Sequence, residues 1–466
     1  MSKNSSQFYS TNPDIQTLHK KIIPSDGQNT EQTERWNDLR DYLVEDLAEK
    51  TGYLVTSWLQ GSYKFETQIR PGSMLEEFDI DLGIYFNWSG GPDDGKYTPI
   101  QLKKMVLQSL VEYQLEAKDE VLNVADPKTR CARIHFLGNF HIDVPVYHID
   151  PDRDIRHLAT EDNVWENSDP KALYAWFKKE CNESQNGQQL RRLVRYLKMW
   201  ATQKFREEER PSTILLTVLV VKAFKELSLV SSDDDFVFEN CIGKVIESLN
   251  LVSIVENPVD TKENLNRMPK ESFANFLHQL TILYEIAKRG TSASTQADAS
   301  MIWQEAFHHF FPLPEELKNS SSAETALMVV QFTPEIHVSA QPKDNFSIRP
   351  YIGQNKIGPI PKNCNISFVL TNYLYLPYGC TLEWMVRNEG GEAEEMNDLG
   401  HFSGKAVSMS RNSAYNGTHF MDIVVKTQHG TPIGFRRVPV TIDGPAIPPR
   451  NPKNKPGWRK IKNKKR

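Results

Sequence analysis

The pattern of apolar and polar positions changes twice along the chain. Up to about residue 150, strand-like apolar runs alternate with segments in which apolar residues recur at helical spacing. From there to about Pro312 the periodicity is helical, and from about Val329 short β-rich runs alternate with turns. The chain therefore predicts an α+β fold, in which a sheet-containing domain is followed by a helical lobe and then by a β-sandwich.

The sheet-containing domain is predicted to hold amphipathic helices and several strands. Gly138-Asn139 is a turn signal between two of the strand-like runs and predicts that these runs pair antiparallel. The helices are predicted at 30–49 and 101–118, and the strands at 54–59, 82–86, 129–136 and 139–147.

The changes of pattern also give domain boundaries. These boundaries divide the chain into six segments: a loose N-terminal lead-in (1–29), the sheet-containing domain (30–165), the helical lobe (166–312), a linker (313–328), a β-rich domain (329–446) and a basic tail (447–466). Near the end of the lobe, the small polar residues of 288–300 predict a loop, and 301–312 predicts the closing helix.

Composition restricts the class of protein. The chain has 466 residues, of which 39% are hydrophobic and 25% charged, as expected for a globular protein of two or three domains. No apolar run approaches the roughly 20 residues of a membrane span, and the polar N-terminus has no signal-peptide core. The five cysteines form no C-x-x-C pair and predict neither a zinc cluster nor a disulfide framework. We therefore predict a cytoplasmic protein with no membrane partner.

The acidic residues Asp79 and Asp81 lie in the segment FDIDLGIYF, where a strand begins. In a strand, residues i and i+2 point to the same face, so the two carboxylates would lie side by side. Two like charges so close are costly unless a cation lies between them, and Mg²⁺ prefers carboxylates combined with substrate phosphates. A third carboxylate, Asp143 in FHIDVPVY, would complete a two-metal site if it lies on a neighbouring strand. The alternative is that Asp79 and Asp81 flank a turn and are simply solvated.

Gly61-Ser62 follows an apolar run and precedes what could be a short helix. Glycine lets the backbone approach phosphate closely, and a helix N-terminus offers free N–H donors. The pair therefore predicts a phosphate contact beside the carboxylates.

The ordered set of Gly-Ser, Asp-x-Asp and a distant Asp in an apolar strand resembles the nucleotidyltransferase superfamily with the DNA polymerase β palm. The segments QGSY, FDIDLG and HIDVPVY are similar to those of the CD-NTases, the bacterial cyclic-oligonucleotide synthases related to the cyclic GMP-AMP synthases. The resemblance covers residues 30–312. It implies a palm at 30–165, catalytic roles for Asp79, Asp81 and Asp143, and two Mg²⁺ ions held by these three residues, with Mn²⁺ as a substitute.

The resemblance also implies a nucleotide site. Gln60, Gly61 and Ser62 would bind the donor nucleotide. In these synthases a lysine, and a serine near the start of the next helix, hold the triphosphate, and Lys198 and Ser212 match these positions.

Two further features of this region have alternative interpretations. Lys198 ends a basic stripe that includes Arg191 and Arg195, and solvated surface charges are the alternative to a phosphate site. His141 alternates onto the face of Asp143, where we predict a structural histidine, with substrate contact as the alternative.

The C-terminal part of the chain is β-rich and ends in a basic tail. Residues 330–445 resemble a C-terminal domain proposed as a sensor in some adenylyl/guanylyl cyclases and cyclic-oligonucleotide synthases, and a role in stability or dimer contact is the alternative. Residues 450–466 carry nine Lys or Arg and no acid, although the whole chain has a net charge of −5. Nucleic acid could be attracted by this tail, but the acidic remainder argues against nucleic acid as the main partner.

The function implied by the resemblance is phosphodiester formation from nucleoside triphosphates. ATP is the favoured substrate, with GTP or others as alternatives, and the product would be a cyclic di- or trinucleotide. It would serve as a second messenger in bacterial antiphage signalling and act on a separate effector protein. The alternatives are a transferase that makes linear oligoadenylate or extends RNA, a toxin that nucleotidylates a protein, and a degenerate binding module.

Overall fold

The computed structural model describes residues 5–447, except for 118–119, 185, 228–230, 232, 314–330, 344–347 and 429–431. The described residues form two units, one of residues 5–313 and 395–398, and one of residues 331–394 and 399–447. The predicted linker (313–328) and basic tail (447–466) lie outside the described residues, apart from positions 313 and 447.

A mixed seven-stranded sheet forms the centre of the first unit. Its order is β1-β2-β5-β4-β3, with β6 paired to β5 and β7 paired to β6. Strands β2 and β5 run parallel, and the other neighbouring pairs are antiparallel. The strands are β1 (Leu54–Gln60), β2 (Phe78–Asn87), β3 (Val121–Val124), β4 (Cys131–Phe136), β5 (Phe140–Asp150), β6 (Ile155–Ala159) and β7 (Trp165–Asn167).

Alternation along β2 separates the two faces of this sheet. Ile80, Leu82 and Ile84 are fully buried in a core shared with helices α3 (Asp26–Thr51) and α5 (Pro99–Glu116). Burying one such side chain stabilises the fold by about 1.5–3 kcal/mol. On the opposite face, Asp79 and Asp81 occupy the start of β2, and Tyr85 and Tyr147 belong to a small apolar cluster further along the strands. The predicted helices and strands of this domain are confirmed.

The N-terminal residues are not the loose lead-in that their polar sequence predicts. Residues 5–22 include helices α1 (Ser5–Phe8) and α2 (Leu18–Ile22), and Phe8 is fully buried. The Phe8 ring meets Tyr196 and Trp303 edge-on, with ring centroids 5.3 and 4.7 Å apart. A few apolar side chains are sufficient to anchor an otherwise polar segment to the helical lobe.

The helical lobe completes the first unit. Its helices are α6 (Pro170–Glu183), α7 (Gly187–Lys204), α8 (Thr213–Glu226), α9 (Asp234–Leu251), α10 (Lys270–Thr291) and α11 (Gln296–Phe307), and the four-residue helix α4 (Gly61–Lys64) lies within the palm. The prediction of helices alone after residue 151 is wrong at β6, β7 and the hairpin of β8 (Glu256–Asn257) and β9 (Asp260–Asn264). These strands are short and mostly polar, so they give little apolar alternation.

The predicted loop at 288–300 is also wrong. Helix α10 continues to Thr291 and α11 begins at Gln296, so only four residues connect them. A Cβ added at Gly290 would lie 2.5 Å from Nε1 of Trp303, which shows that the small residues allow close helix packing here. Among the described residues, no helix is both long and apolar enough to cross a membrane.

The second unit is a β-sandwich, as predicted. A four-stranded sheet has the order β11-β10-β13-β16, and a five-stranded sheet has the order β12-β18-β17-β14-β15. Their inner faces share one core that includes Val338, Phe368, Trp384 and Ile423. The strands are β10 (Ile336–Pro342), β11 (Tyr351–Gln354), β12 (Ile357–Ile360), β13 (Cys364–Leu370), β14 (Thr381–Arg387), β15 (Gly400–Gly404), β16 (Ser408–Asn412), β17 (Gly417–Lys426) and β18 (Pro432–Ile442), with the short helix α12 at Gly391–Glu395.

Candidate active site

The three predicted carboxylates lie together on the polar face of the first sheet. The parallel register of β2 and β5 pairs Asp81 with Asp143 and Asp79 with His141. Asp143 therefore lies on the neighbouring strand, as the two-metal interpretation requires. The side chains of Asp79, Asp81 and Asp143 share one face because each strand alternates with period two.

Gly61 brings the backbone against this group. Its φ of 59° lies in the left-handed region, and an added Cβ would fall 1.9 Å from Oδ2 of Asp81. Glycine is therefore required at the end of β1 for both conformation and space. Ser62 follows in the first turn of α4 and lines the same cleft.

The cleft has a volume of about 440 Å³ and a strongly charged wall. A nucleoside triphosphate offers its own negative charges and would need such cationic groups together with metal-binding carboxylates. The ionisable residues that line the cleft are Arg70, Glu76, Glu77, Asp79, Asp81, Arg133, His135, His141, Lys198, Glu207 and Arg210.

Asp81 and Asp143 differ in their acid–base properties. Burial and the charges of Asp79 and Asp143 raise the pKa of Asp81 well above its ordinary value. Burial alone would also raise the pKa of Asp143, but the hydrogen bonds and charge of Arg133 outweigh it, and the pKa of Asp143 is lowered. The two carboxylates therefore have different protonation tendencies within one site.

The sequence interpretation missed Arg133. Its Nε and Nη2 donate to Oδ1 and Oδ2 of Asp143 at 2.6 and 2.8 Å. The antiparallel register of β4 and β5 places Arg133 opposite Asp143. The signal was present in the sequence, because the turn at Gly138-Asn139 sets this pairing.

Lys198 lies in the cleft wall, as the triphosphate interpretation requires. Its buried Nζ donates to the backbone oxygen of Thr67 at 3.0 Å. Burial and the charge of Arg195 lower the pKa of Lys198 to about 7, although Asp79 and Asp81 oppose the shift. Lys198 is thus poised to gain charge when an anion binds beside it.

The rest of the basic stripe has other contacts. Arg191 Nε lies 3.2 Å from a carboxylate oxygen of Glu66, and Arg195 Nη2 donates to the Glu66 backbone oxygen at 2.5 Å. Of the three stripe residues, Lys198 alone is among the described residues that line the cleft.

Ser212 and Gln60 have structural partners. Ser212 is the N-cap of α8, and its hydroxyl accepts from the Leu215 N–H at 3.4 Å, while the following residue, Thr213, lines the cleft. Gln60 lies opposite Asp81 on β1, but its amide bonds the hydroxyls of Tyr85 and Tyr147 at 2.8 and 3.1 Å. Nucleotide binding by these two residues stays a prediction.

The cleft also has a donor set that fits a divalent metal. Asp79, His141 and Asp143 each place one ligand atom within 4.8 Å of the others. Asp143 keeps lone pairs for a metal even with Arg133 bound, because a carboxylate has about four acceptor sites. The residues present therefore fit the metal requirement of phosphoryl-transfer chemistry.

Comparisons with known proteins agree with this geometry. Residues 55–147 match the family model for the nucleotidyltransferase domain of cyclic GMP-AMP synthase DncV-like proteins. Residues 317–443 match the model for the adenylyl/guanylyl and SMODS C-terminal sensor domain.

Two relatives with similar sequences are synthases of cyclic dinucleotides by name. The cyclic GMP-AMP synthase of Escherichia albertii is 28% identical over 93% of this chain and 95% of its own length. The c-di-GMP synthase of Roseivirga ehrenbergii is 27% identical over 46% of this chain and 61% of its own length.

Solved structures share the fold of about two thirds of this chain. The apo form of Vibrio cholerae DncV has a TM-score of 0.57 at 22% identity and covers 66% of this chain and 96% of its own. The Escherichia coli DncV structure with 3′-deoxy GTP has a TM-score of 0.55 at 23% identity and covers 66% of this chain and 96% of its own. The chain is therefore homologous to the cyclic GMP-AMP synthase and DncV-type CD-NTases, shares the polymerase-β-like nucleotidyltransferase fold of the DncV structures, and matches the adenylyl/guanylyl and SMODS C-terminal sensor domain over residues 317–443.

Proposed function

We propose that this protein is a cyclic-oligonucleotide synthase that joins nucleoside triphosphates and closes the product into a ring. Each phosphodiester forms by attack of a hydroxyl on an α-phosphorus, which breaks the α–β phosphoanhydride bond and releases pyrophosphate. The observation that carries the proposal is the register of β2 and β5, which sets Asp81 opposite Asp143 beside the Gly61 turn. The named products of the relatives support a cyclic dinucleotide, and a trinucleotide is the alternative ring size.

The carboxylates are assigned distinct roles in this proposal. Two bound Mg²⁺ ions would lower the pKa of the attacking hydroxyl and neutralise charge on the transferring phosphoryl group. Asp79 and Asp81 are assigned to both metal positions, and Asp143 to the one nearer the attacking hydroxyl. The lowered pKa of Asp143 makes it a weak proton acceptor, so we assign it mainly to metal binding.

The donor triphosphate is assigned to the wall formed by Gly61, Ser62 and Lys198, with Ser212 at the start of α8. Lys198 would act as a point charge on phosphate, and Gly61 would allow close backbone approach. ATP is the favoured substrate and GTP the main alternative, because the product in the name of the cyclic GMP-AMP synthase contains both bases, whereas the product in the name of the c-di-GMP synthase contains guanine alone. Catalysis would rest on positioning and charge neutralisation.

The biological setting is part of the same proposal. The product would act as a second messenger on a separate effector protein in antiphage signalling, in the cytoplasm, and the C-terminal domain would sense the trigger. A nucleic-acid contact through the basic tail stays a prediction.

Product identification tests the proposal. The full chain is incubated with four labelled nucleoside triphosphates and Mg²⁺ or Mn²⁺, treated with phosphatase, and the surviving species are identified by mass spectrometry. A phosphatase-resistant cyclic product supports the synthase and reveals its bases. A product with free ends would instead support linear transfer, and labelled protein would support a nucleotidylating toxin.

A further inference from the structure

We propose that His141 is a metal ligand beside Asp79 and Asp143, so that this position favours a divalent transition ion such as Mn²⁺ over Mg²⁺. The inference rests on the proposed function and adds a nitrogen ligand to its carboxylate set.

The first observation is the position of the His141 ring. Its Nε2 lies 3.0 Å from Oδ1 of Asp79, and Asp143 completes the group of three ligand atoms within 4.8 Å. Two adjacent ligand atoms, each about 2.1 Å from an octahedral ion, lie about 3.0 Å apart. The spacing of Nε2 and the Asp79 oxygen therefore suits two ligands of one ion.

The second observation is that Nε2 is unsatisfied. His141 is 7% exposed, and its buried Nε2 has no hydrogen-bond partner in the described part of the chain, because the contact with Asp79 lacks hydrogen-bond geometry. A buried nitrogen without a partner is costly, and native structures usually supply one. Here it faces the two carboxylates that an ion would bridge.

The third observation is the partner of the other ring nitrogen. Nδ1 of His141 lies 2.9 Å from Oε2 of Glu77, and Nδ1 of His135 lies 2.7 Å from the same oxygen. If Nδ1 donates its proton to Glu77, the lone pair is left on Nε2. Metal-binding histidines usually give their second N–H to a carboxylate in this way, which fixes the ring and its tautomer.

The ligand set bears on metal choice. Mg²⁺ strongly prefers oxygen donors, whereas imidazole nitrogen suits first-row transition ions. A site built of Asp79, Asp143 and His141 would therefore discriminate against Mg²⁺ more than three carboxylates would. The competing interpretation is a protonated His141 that forms an ion pair with Asp79 and binds no metal.

Pulsed EPR separates these interpretations. Mn²⁺ is added to the full chain with inorganic triphosphate, which contains no nitrogen, and electron spin echo modulation is recorded. We expect ¹⁴N coupling in the wild type and in His135→Gln, and its loss in His141→Gln together with at least about tenfold weaker Mn²⁺ binding. His135→Gln is the matched comparison because His135 forms a second group of possible ligand atoms with Glu77 and His141 and lies outside the Asp79–His141–Asp143 group. An ion bound in that second group would keep nitrogen coupling through His135 in His141→Gln, so loss of coupling in His141→Gln alone assigns the ion to the group of Asp79 and Asp143.

Three results would overturn the assignment: bound Mn²⁺ without nitrogen coupling in the wild type, coupling that persists in His141→Gln, or no Mn²⁺ binding at all. A second readout is the amount of product formed with Mn²⁺ divided by the amount formed with Mg²⁺. We expect this ratio to fall in His141→Gln. Nitrogen coupling in a chain that makes no nucleotide product would leave the ligand assignment standing and reject the proposed function.

Discussion

Single residues determine how closely backbone, carboxylate and cation approach one another in this cleft. The Gly61 backbone contacts Asp81, Arg133 holds both oxygens of Asp143, and Lys198 is buried nearby with a pKa of about 7. Each contact has a different physical cause, so each can be tested separately.

The space at Gly61 predicts a specific loss of activity. Gly61→Ala places a Cβ against Oδ2 of Asp81 in a left-handed conformation that costs an L-residue about 1–2 kcal/mol. We expect kcat/KM to fall at least about tenfold because a carboxylate moves. Gly52→Ala is the matched control, because Gly52 also has a positive φ of 76° but no neighbouring heavy atom within 4 Å of the added Cβ. Gly52→Ala should lose only the unfolding free energy of the positive φ, Gly61→Ala should lose at least as much, and full activity in Gly61→Ala would contradict the account.

The pKa of Lys198 predicts how triphosphate binding depends on pH. Below about pH 7 the free protein carries a charged Lys198. Above about pH 7 the amine is neutral. A bound triphosphate raises the pKa of Lys198, so the amine must take up a proton when the triphosphate binds. Affinity should therefore be flat below about pH 7 and fall by up to about tenfold per pH unit above it.

Calorimetric titration with ATP and Mg²⁺ between about pH 6 and 9 measures this dependence. Lys198→Met should bind more weakly at low pH and lose the slope that Lys198 causes. An unchanged slope in this variant would assign the titration to another group.

At the scale of elements, local pairing was easier to predict than distant pairing. The turn at Gly138-Asn139 predicts the β4–β5 hairpin, and this register could have given the Arg133–Asp143 pair. The parallel neighbours β2 and β5 could be expected only from the resemblance, because α5, β3 and β4 intervene and no local turn sets their register. The short polar strands β6 and β7 were missed because they depend on the edge of a sheet already formed.

The start of α8 offers a test that separates capping from phosphate binding. Replacing an N-cap serine with alanine costs about 0.5–2 kcal/mol, whereas glycine costs only a few tenths. Ser212→Gly should therefore keep stability but lose triphosphate affinity, measured by titration alongside chemical denaturation. Ser25→Ala removes the N-cap of α3, and Ser25 is not among the residues that line the cleft. This variant should therefore lose stability but keep its affinity for triphosphate. Unchanged affinity in Ser212→Gly would leave Ser212 with the capping role alone.

The five-stranded sheet of the second unit contains a buried ionic group. Asp422 accepts from Arg387 at 2.9 Å and from Arg437 at 2.8 and 2.7 Å, and all three residues are at most 3% exposed. Asp422→Ala should cost about 3–5 kcal/mol of unfolding free energy, because two buried guanidinium groups lose their carboxylate. Denaturant unfolding measures this, with Asp443→Ala, near the end of β18, as an aspartate control. A loss below about 1 kcal/mol would contradict the structural role.

At the scale of the molecule, the sequence predicted the order of domains better than their edges. The sheet-containing domain, lobe and sandwich follow from changes in apolar periodicity, which reflect large buried faces, whereas the palm fold was implied by the family resemblance. The N-terminal residues and the 288–300 segment were misinterpreted because polar or small residues dominate them, while a few contacts such as Phe8 with Trp303 and Gly290 with Trp303 decide their structure. The cleft was predicted through its carboxylates, but the contacts of His141 with Asp79 and Glu77 follow from the parallel pairing of β2 with β5, which no local sequence signal gives.

The central claim is that the paired carboxylates of β2 and β5 perform nucleotidyl transfer, and Asp81→Asn tests it most directly. Product formation from labelled nucleoside triphosphates is compared with the wild type and with Asp93→Asn, which makes the same change at an exposed position outside the cleft-lining residues. We expect Asp81→Asn to fold normally and lose at least about 99% of turnover because the metal site loses one carboxylate charge. A hundredfold loss of turnover corresponds to a rise of about 2.7 kcal/mol in the activation free energy. Asp93→Asn should stay near the wild-type rate. A folded Asp81→Asn that retains more than a few per cent of turnover would contradict the account.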